Sequence, residues 1–105
     1  MGLVGLTLRQ KQSRFTFLVA KLILFAYENG YELTFGDAWA KSGHKNNSFH
    51  YIRSAIDLNL FENGKWLTQT EDHKLLGKYW KSLDPECTWG GDFPDPDGNH
   101  YSYGE

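Results

Sequence analysis

The chain has 105 residues, of which 40% are hydrophobic and 23% are charged, a balance that is typical of a folded protein and excludes a disordered one. We therefore expect a single domain over residues 1–105. The formal net charge of -2 provides no broad positive field, which makes nucleic acid a poor candidate partner, and the single cysteine, Cys87, excludes an internal disulfide.

The first third of the sequence predicts a long helix followed by a strand. Thr7 can cap a helix that starts near Leu8 and stops at Asn29–Gly30, and apolar residues recur within it at Phe15, Leu18, Val19, Leu22, Ile23 and Ala26. Its most apolar part, residues 15–27, is shorter than the roughly 20 apolar residues that a membrane span needs. Residues 31–35 alternate as a half-buried strand does, and residues 41–48 predict a polar loop.

From residue 54 onward the pattern predicts a hairpin, a second helix and a closing strand. Residues 54–61 indicate a strand with two distinct faces, one carrying Ile56, Leu58 and Leu60 and the other Ala55, Asp57 and Asn59. Asn63–Gly64 is a hairpin turn signal. Thr68 and Glu71 resemble a capping box before a helix whose apolar face comprises Leu75, Leu76, Tyr79, Trp80 and Leu83. After Asp84–Pro85 the chain is expected to be loop-like, with a long irregular segment over residues 89–98, and residues 100–103 predict a short strand.

The remaining aromatic, imidazole and acidic side chains are first interpreted as structural. We expect core positions for Trp39, Trp66 and Trp80, whereas Trp89, beside two glycines, is expected to form a wall near a site. His44 and His73 are expected to be solvated. A solvated acidic loop is expected from Asp84, Glu86, Asp92 and Asp95.

Asp57 indicates a metal site because a carboxylate in an otherwise apolar strand is costly to bury without a cation. Histidine is the commonest partner ligand, and His50 and His100 are candidates. Residues seven apart on one straight strand point to opposite faces, so His50 must arrive from a turn or loop. Two imidazoles and one carboxylate suit Zn²⁺ with a fourth position open for water. Asp97 is then a candidate general base, or alternatively a turn residue in Pro96–Asp97–Gly98.

The sequence resembles the M15 metallopeptidases, specifically the short phage endolysins that act as L-alanyl-D-glutamate peptidases. The resemblance runs from about residue 8 to residue 103 and is carried by Ser48-x-His50, Ala55-x-Asp57-Leu58, Trp89-Gly-Gly and Asp97-x-x-His100. It implies an α+β fold of the hedgehog and DD-peptidase type, with a small, mainly antiparallel sheet packed against a long N-terminal helix. It also implies zinc on His50, Asp57 and His100, with Asp97 as the catalytic acid or base.

Two departures from the family concern the substrate side of the site. Many relatives carry an arginine soon after the first strand, but Ala40 and Lys41 stand here, so Lys41 or Arg53 would have to supply the positive charge. The family also often has glycine where Arg53 stands. We expect substrate contacts from Ser48, Arg53 and Trp89.

The resemblance implies that the substrate is the stem peptide of peptidoglycan. Cleavage of the D-alanyl-D-alanine bond, or a catalytically weak, zinc-stabilised relative that binds cell-wall peptides, are the alternatives. The first residues lack the pattern of a secretory signal. We therefore expect a monomer that is made in the bacterial cytoplasm and acts on the cell wall.

Overall fold

A long helix and a five-stranded antiparallel sheet form the body of the protein, as a computed structural model shows for residues 5–38 and 53–104. The helices are α1 (Leu8–Glu28) and α2 (Lys74–Leu83). The strands are β1 (Glu32–Phe35), β2 (Ala55–Glu62), β3 (Lys65–Leu67), β4 (Cys87–Trp89) and β5 (His100–Tyr103). This architecture confirms the predicted α+β class.

The long strand β2 lies at the centre of the sheet. Its neighbours follow the order β1-β2-β5-β4, and every pairing is antiparallel. On the edge opposite β1, β2 pairs with β5 at Ala55–Asp57 and with β3 at Leu60–Glu62. Two strands thus share one edge of β2, and a notch lies between them beside Leu58 and Asn59.

The two faces of β2 divide the core from the site. Ile56, Leu58 and Leu60 are almost fully buried against α1 and α2, whereas Asp57, Asn59 and Phe61 are only half-buried on the other side, which we call the outward face. This confirms the face assignment made from the alternating sequence, since successive side chains of a strand point to opposite sides.

The N-terminal helix and the hairpin also begin and end as the sequence indicates. The side chain of Thr7 accepts a hydrogen bond from the backbone N–H of Gln10, and Asn29 caps the other end of α1. Asn63 and Gly64 both have positive φ, 52° and 78°, as a tight two-residue hairpin turn requires. No helix in residues 5–38 and 53–104 has the length and apolarity to cross a membrane.

The region that precedes α2 differs from the prediction. The segment begins with a 3₁₀ turn at Thr70–His73, and the carboxylate of Asp72 accepts a hydrogen bond from the backbone N–H of Gln69 at 3.0 Å. The predicted capping box of Thr68 and Glu71 is therefore wrong by one residue. Leu75, assigned to the apolar face, is 44% exposed, because it only borders the face of α2 that buries Leu76, Gly77 and Trp80.

Three expectations about burial are wrong for reasons of tertiary contact. His73 is only 3% exposed, and its Nδ1 forms a hydrogen bond of 2.8 Å with the hydroxyl of Tyr101. Asp84 is buried and forms a salt bridge of 3.1 Å with Arg14 of α1. Trp66, expected in the core, is 59% exposed on the hairpin. His73 and Asp84 are buried by residues that are far away in sequence. Trp66 lies on a strand that pairs on one side only within the described part of the chain, and most of its ring is exposed.

Part of the segment predicted to be irregular is strand β4. It is three residues long, pairs with β5, and has no periodicity that could separate it from a loop. The tryptophan of α2, Trp80, joins the same region, because its indole N–H donates to the carbonyls of Thr88 at 3.0 Å and Ser102 at 3.1 Å. The two short strands are thereby fixed to the second helix.

Candidate metal centre

Three potential ligand side chains converge where β2 and β5 meet. One ligand atom each from Asp57, Asp97 and His100 lies within 4.8 Å of the others. Asp57 lies on β2 directly opposite His100 on β5, and Asp97 comes from the loop that leads into β5. The register of two antiparallel strands thus brings together residues that are remote in sequence.

The separation between Asp57 and His100 is compatible with a shared cation. His100 Nδ1 lies 3.7 Å from Asp57 Oδ1, which is too long for a hydrogen bond between these atoms. Two ligands at about 2.1 Å from a tetrahedral ion stand roughly 3.4 Å apart, close to this distance. Both side chains are largely withdrawn from water, with 7% exposure for His100 and 19% for Asp57. A buried imidazole and carboxylate therefore fit a divalent cation in chemistry and in spacing.

The loop before β5 is held in place by hydrogen bonds around Asp97. The carbonyl of Gly90 accepts from the backbone N–H of Asp97 at 2.9 Å, and the carbonyl of Asp97 accepts from the N–H of His100 at 3.1 Å. The N–H of Gly98 donates to the hydroxyl of Thr70 at 3.2 Å. These bonds fix the backbone on both sides of a carboxylate that is itself exposed.

Gly90 is required by this close packing. A Cβ at residue 90 would collide with the carbonyl oxygen of Asp97 and lie 2.8 Å from the Cβ of His100. Backbone atoms cannot move aside as the end of a flexible side chain can. The glycine is therefore part of the support that sets the positions of two residues of the site.

Trp89 is buried beneath the loop, at 6% exposure. Its indole N–H donates to the carbonyl of Gly98 at 2.7 Å, next to Asp97. Trp89, which was expected to form a wall near the site, thus supports the loop that carries Asp97. Its contact with substrate stays a prediction.

Arg53 has a φ of 57°, a left-handed conformation that favours glycine. A glycine would adopt this conformation without strain. Arg53 lines an apolar groove with Phe15, Phe35 and Ile56 on the α1 side of the sheet. Its role toward substrate stays a prediction.

Five other residues that were singled out from the sequence lie outside the described residues. They are Trp39, Lys41, His44, Ser48 and His50.

A cleft of about 210 Å³ opens beside Asp97, in the notch between β3 and β5. Asn59, Trp66 and Gln69 line it on the side away from the loop. His73 also contributes, and burial lowers the pKa of its imidazole from 6.5 to about 4, an effect that the nearby carboxylate of Asp72 partly opposes. The imidazole is therefore neutral at pH 7. This cleft could not be predicted from local patterns, because its lining residues come from separate elements.

The three potential metal ligands and the loop that holds one of them indicate a class of protein. One buried imidazole and two carboxylates around one point are suited to the divalent cation of a metal-dependent hydrolase. Residues 42–103 match the model of a peptidase M15 family that is described as D-alanyl-D-alanine carboxypeptidase. Because the match covers more than half of the chain, the chain belongs to the M15 peptidases. No curated protein matches the sequence.

Proposed function

We propose that the protein is a zinc-dependent endopeptidase that cleaves the L-alanyl-D-glutamate bond of bacterial peptidoglycan, as a phage endolysin does during cell lysis. The observation that carries the proposal is the convergence of Asp57, Asp97 and His100 within 4.8 Å in a chain of the M15 family. The choice of bond follows the resemblance of the sequence to short phage endolysins, in particular at Tyr31–Ala38 and Asp57–Phe61.

In this proposal zinc is held by His50, Asp57 and His100, and Asp97 remains outside the ligand set. Bound zinc would act as a Lewis acid toward the scissile carbonyl and toward water. The exposure of Asp97 supports its separate role, since a general base must reach water and substrate, whereas the two other described donors are more deeply buried.

Asp97 supplies the proton transfers. Its carboxylate accepts a proton from the water that attacks the carbonyl carbon of the L-alanyl residue. The same carboxyl then donates that proton to the nitrogen of the D-glutamyl residue as the C–N bond breaks. The products are an L-alanine carboxyl group and a D-glutamate amino group, and Asp97 returns to its ionised form.

Cleavage of D-alanyl-D-alanine is the second candidate, favoured by the description of the matching family. The two candidates share the metal, its ligands and the acid-base residue, and differ only in which amide the substrate presents. They are therefore separated by the products and not by the effects of substitutions at the metal centre.

The test is digestion of purified peptidoglycan by the zinc-loaded protein, with mass spectrometry of the fragments. We expect new L-alanine carboxyl and D-glutamate amino ends, and their loss in Asp97→Asn and His50→Ala. Asp95→Asn is the matched control, because Asp95 is an exposed carboxylate only two residues from Asp97. Release of D-alanine would establish the second candidate. No product from a zinc-bound protein would contradict both and favour a cell-wall-binding relative.

A further inference from the structure

The outward face of β2 continues from the metal centre to an exposed pair of aromatic rings. Asp57, Asn59 and Phe61 alternate along this face, and Trp66 of β3 lies directly opposite Phe61. At about 3.4 Å per residue, the strand carries this face about 14 Å from Asp57 to Phe61. A substrate held at the metal centre can therefore extend along one continuous surface to the aromatic pair.

The two rings are suited to contact a flat ligand. The planes of Phe61 and Trp66 differ by 21°, and their centroids are 6.4 Å apart. Trp66 nevertheless keeps 59% of its surface exposed, so most of a large apolar ring faces water. An indole offers an apolar face and a polar N–H at once, which favours ligands that have both kinds of surface. We call Phe61 and Trp66 the aromatic platform.

The cleft between the aromatic platform and Asp97 is polar but almost uncharged. Among the described residues that line it, amide and hydroxyl groups are supplied by Asn59, Thr68, Gln69, Thr70 and Asn99. Asp97 is the one acidic side chain of that lining, and His73 is neutral above its pKa of about 4. The amide and hydroxyl groups of the cleft can form hydrogen bonds with the hydroxyls and amides of a ligand, and they do not select for a charged one.

We propose that the aromatic platform binds the pyranose ring of the amino sugar to which the stem peptide is attached. The C–H face of the ring would lie on Trp66, and its hydroxyl and acetamido groups would hydrogen-bond in the cleft. The inference rests on the proposed function, because in peptidoglycan only the L-alanyl residue and a lactyl group separate the L-alanyl-D-glutamate bond from the sugar.

The dimensions of the substrate agree with this placement. Two extended units of about 3.5 Å span roughly 7 Å, so the first sugar ring would begin beside Asn59 and extend toward Trp66, which lines the same cleft as Asn59 and Asp97. In D-alanyl-D-alanine cleavage the sugar would be at least five such units away, roughly 17 Å, and would lie beyond Trp66. The two spans end on either side of Trp66, so the aromatic platform alone does not select between the two scissile bonds.

The kinetic test compares two substrates that differ only in the sugar. These are N-acetylmuramyl-L-Ala-D-Glu-L-Lys and the same tripeptide with a D-lactyl group in place of the muramyl group, which keeps the lactyl unit and removes the sugar alone. We expect the zinc-loaded wild type to prefer the muramyl substrate in kcat/KM by about five- to tenfold, the effect of one good aromatic contact. In Trp66→Ala the ratio should fall to near one, and in Trp66→Phe it should be intermediate.

Phe17→Ala is the matched control, because Phe17 is an aromatic residue of α1 with 52% exposure. It should leave the preference for the sugar as it is in the wild type. Equal kcat/KM values of the wild type for both substrates would overturn the proposal. So would a Trp66→Ala variant that keeps the wild-type ratio.

A binding measurement separates this proposal from the choice of scissile bond. Peptide-free disaccharide of N-acetylglucosamine and N-acetylmuramic acid is titrated into the ¹⁵N-labelled wild type, and the indole N–H of Trp66 is assigned with Trp66→Phe. We expect this signal to shift with saturation while that of the buried Trp80 does not. If neither peptide is cleaved but the signal shifts, the proposed function fails and the sugar site stands. If no shift occurs up to the solubility limit, the sugar site is refuted.

Discussion

Acidification should destabilise the protein through His73. The imidazole is buried against the hydroxyl of Tyr101, and burial lowers its pKa from 6.5 to about 4. Between these two values the unfolded chain binds a proton that the folded chain does not. The contribution of the neutral imidazole to stability is therefore complete above pH 6.5 and is lost as the pH falls toward 4.

The size of the effect follows from the two pKa values. The full difference corresponds to about 3 kcal/mol, of which about 2 kcal/mol is lost between pH 7 and pH 5. For a domain of this size such a loss lowers Tm by roughly 10 °C.

The comparison of wild type with His73→Gln isolates this contribution. Glutamine keeps a partner for the hydroxyl of Tyr101 and does not titrate. Thermal and urea unfolding of both proteins is measured at half-unit steps from pH 4.5 to 7.5 in the presence of a chelator. Between pH 7 and pH 5 the free energy of unfolding of the wild type should fall by about 2 kcal/mol relative to that of the variant. Parallel pH profiles for the two proteins would refute the assignment.

Four substitutions test other parts of the structure. Gly90→Ala should lower zinc affinity about tenfold or more in a competition titration, because the added methyl group collides with the carbonyl of Asp97 and with the Cβ of the proposed ligand His100; unchanged affinity would contradict this. Arg53→Gly should raise the free energy of unfolding by about 1 kcal/mol by relieving the positive φ, and Asn63→Gly should gain less, since asparagine tolerates that region; a loss in Arg53→Gly would count against it. Trp80→Phe should cost about 1–3 kcal/mol in urea unfolding, because two buried carbonyls lose their donor.

Local pattern was enough to predict the elements that depend on periodicity or on turn chemistry. The apolar spacing of α1, the alternation along β2 and the Asn63–Gly64 turn each specify their own conformation without distant contacts. The same alternation placed Asp57 on the face away from the core. The site could therefore be predicted in part, because a carboxylate in a strand and a histidine in a second strand needed only the right register to meet.

The features that were missed depend on contacts between distant residues. Asp84 is buried because Arg14 of α1 reaches it, and no pattern near Asp84 indicates that partner. Strand β4 forms because β5 provides its hydrogen bonds, since three residues are too few to show a period. Trp66 was expected to be buried but is exposed. The sequence of a short hairpin strand does not show whether another layer covers its tryptophan.

The placement of Asp57 and His100 on two paired strands makes the proposed hydrolytic capacity depend on completed folding. Neither strand alone carries both residues, and they become neighbours only when β5 has joined β2. A nascent or partly unfolded chain in which this pairing is missing would hold an incomplete ligand set and cleave nothing. The cell that synthesises such a peptidase is thereby exposed to its activity only after the sheet has closed.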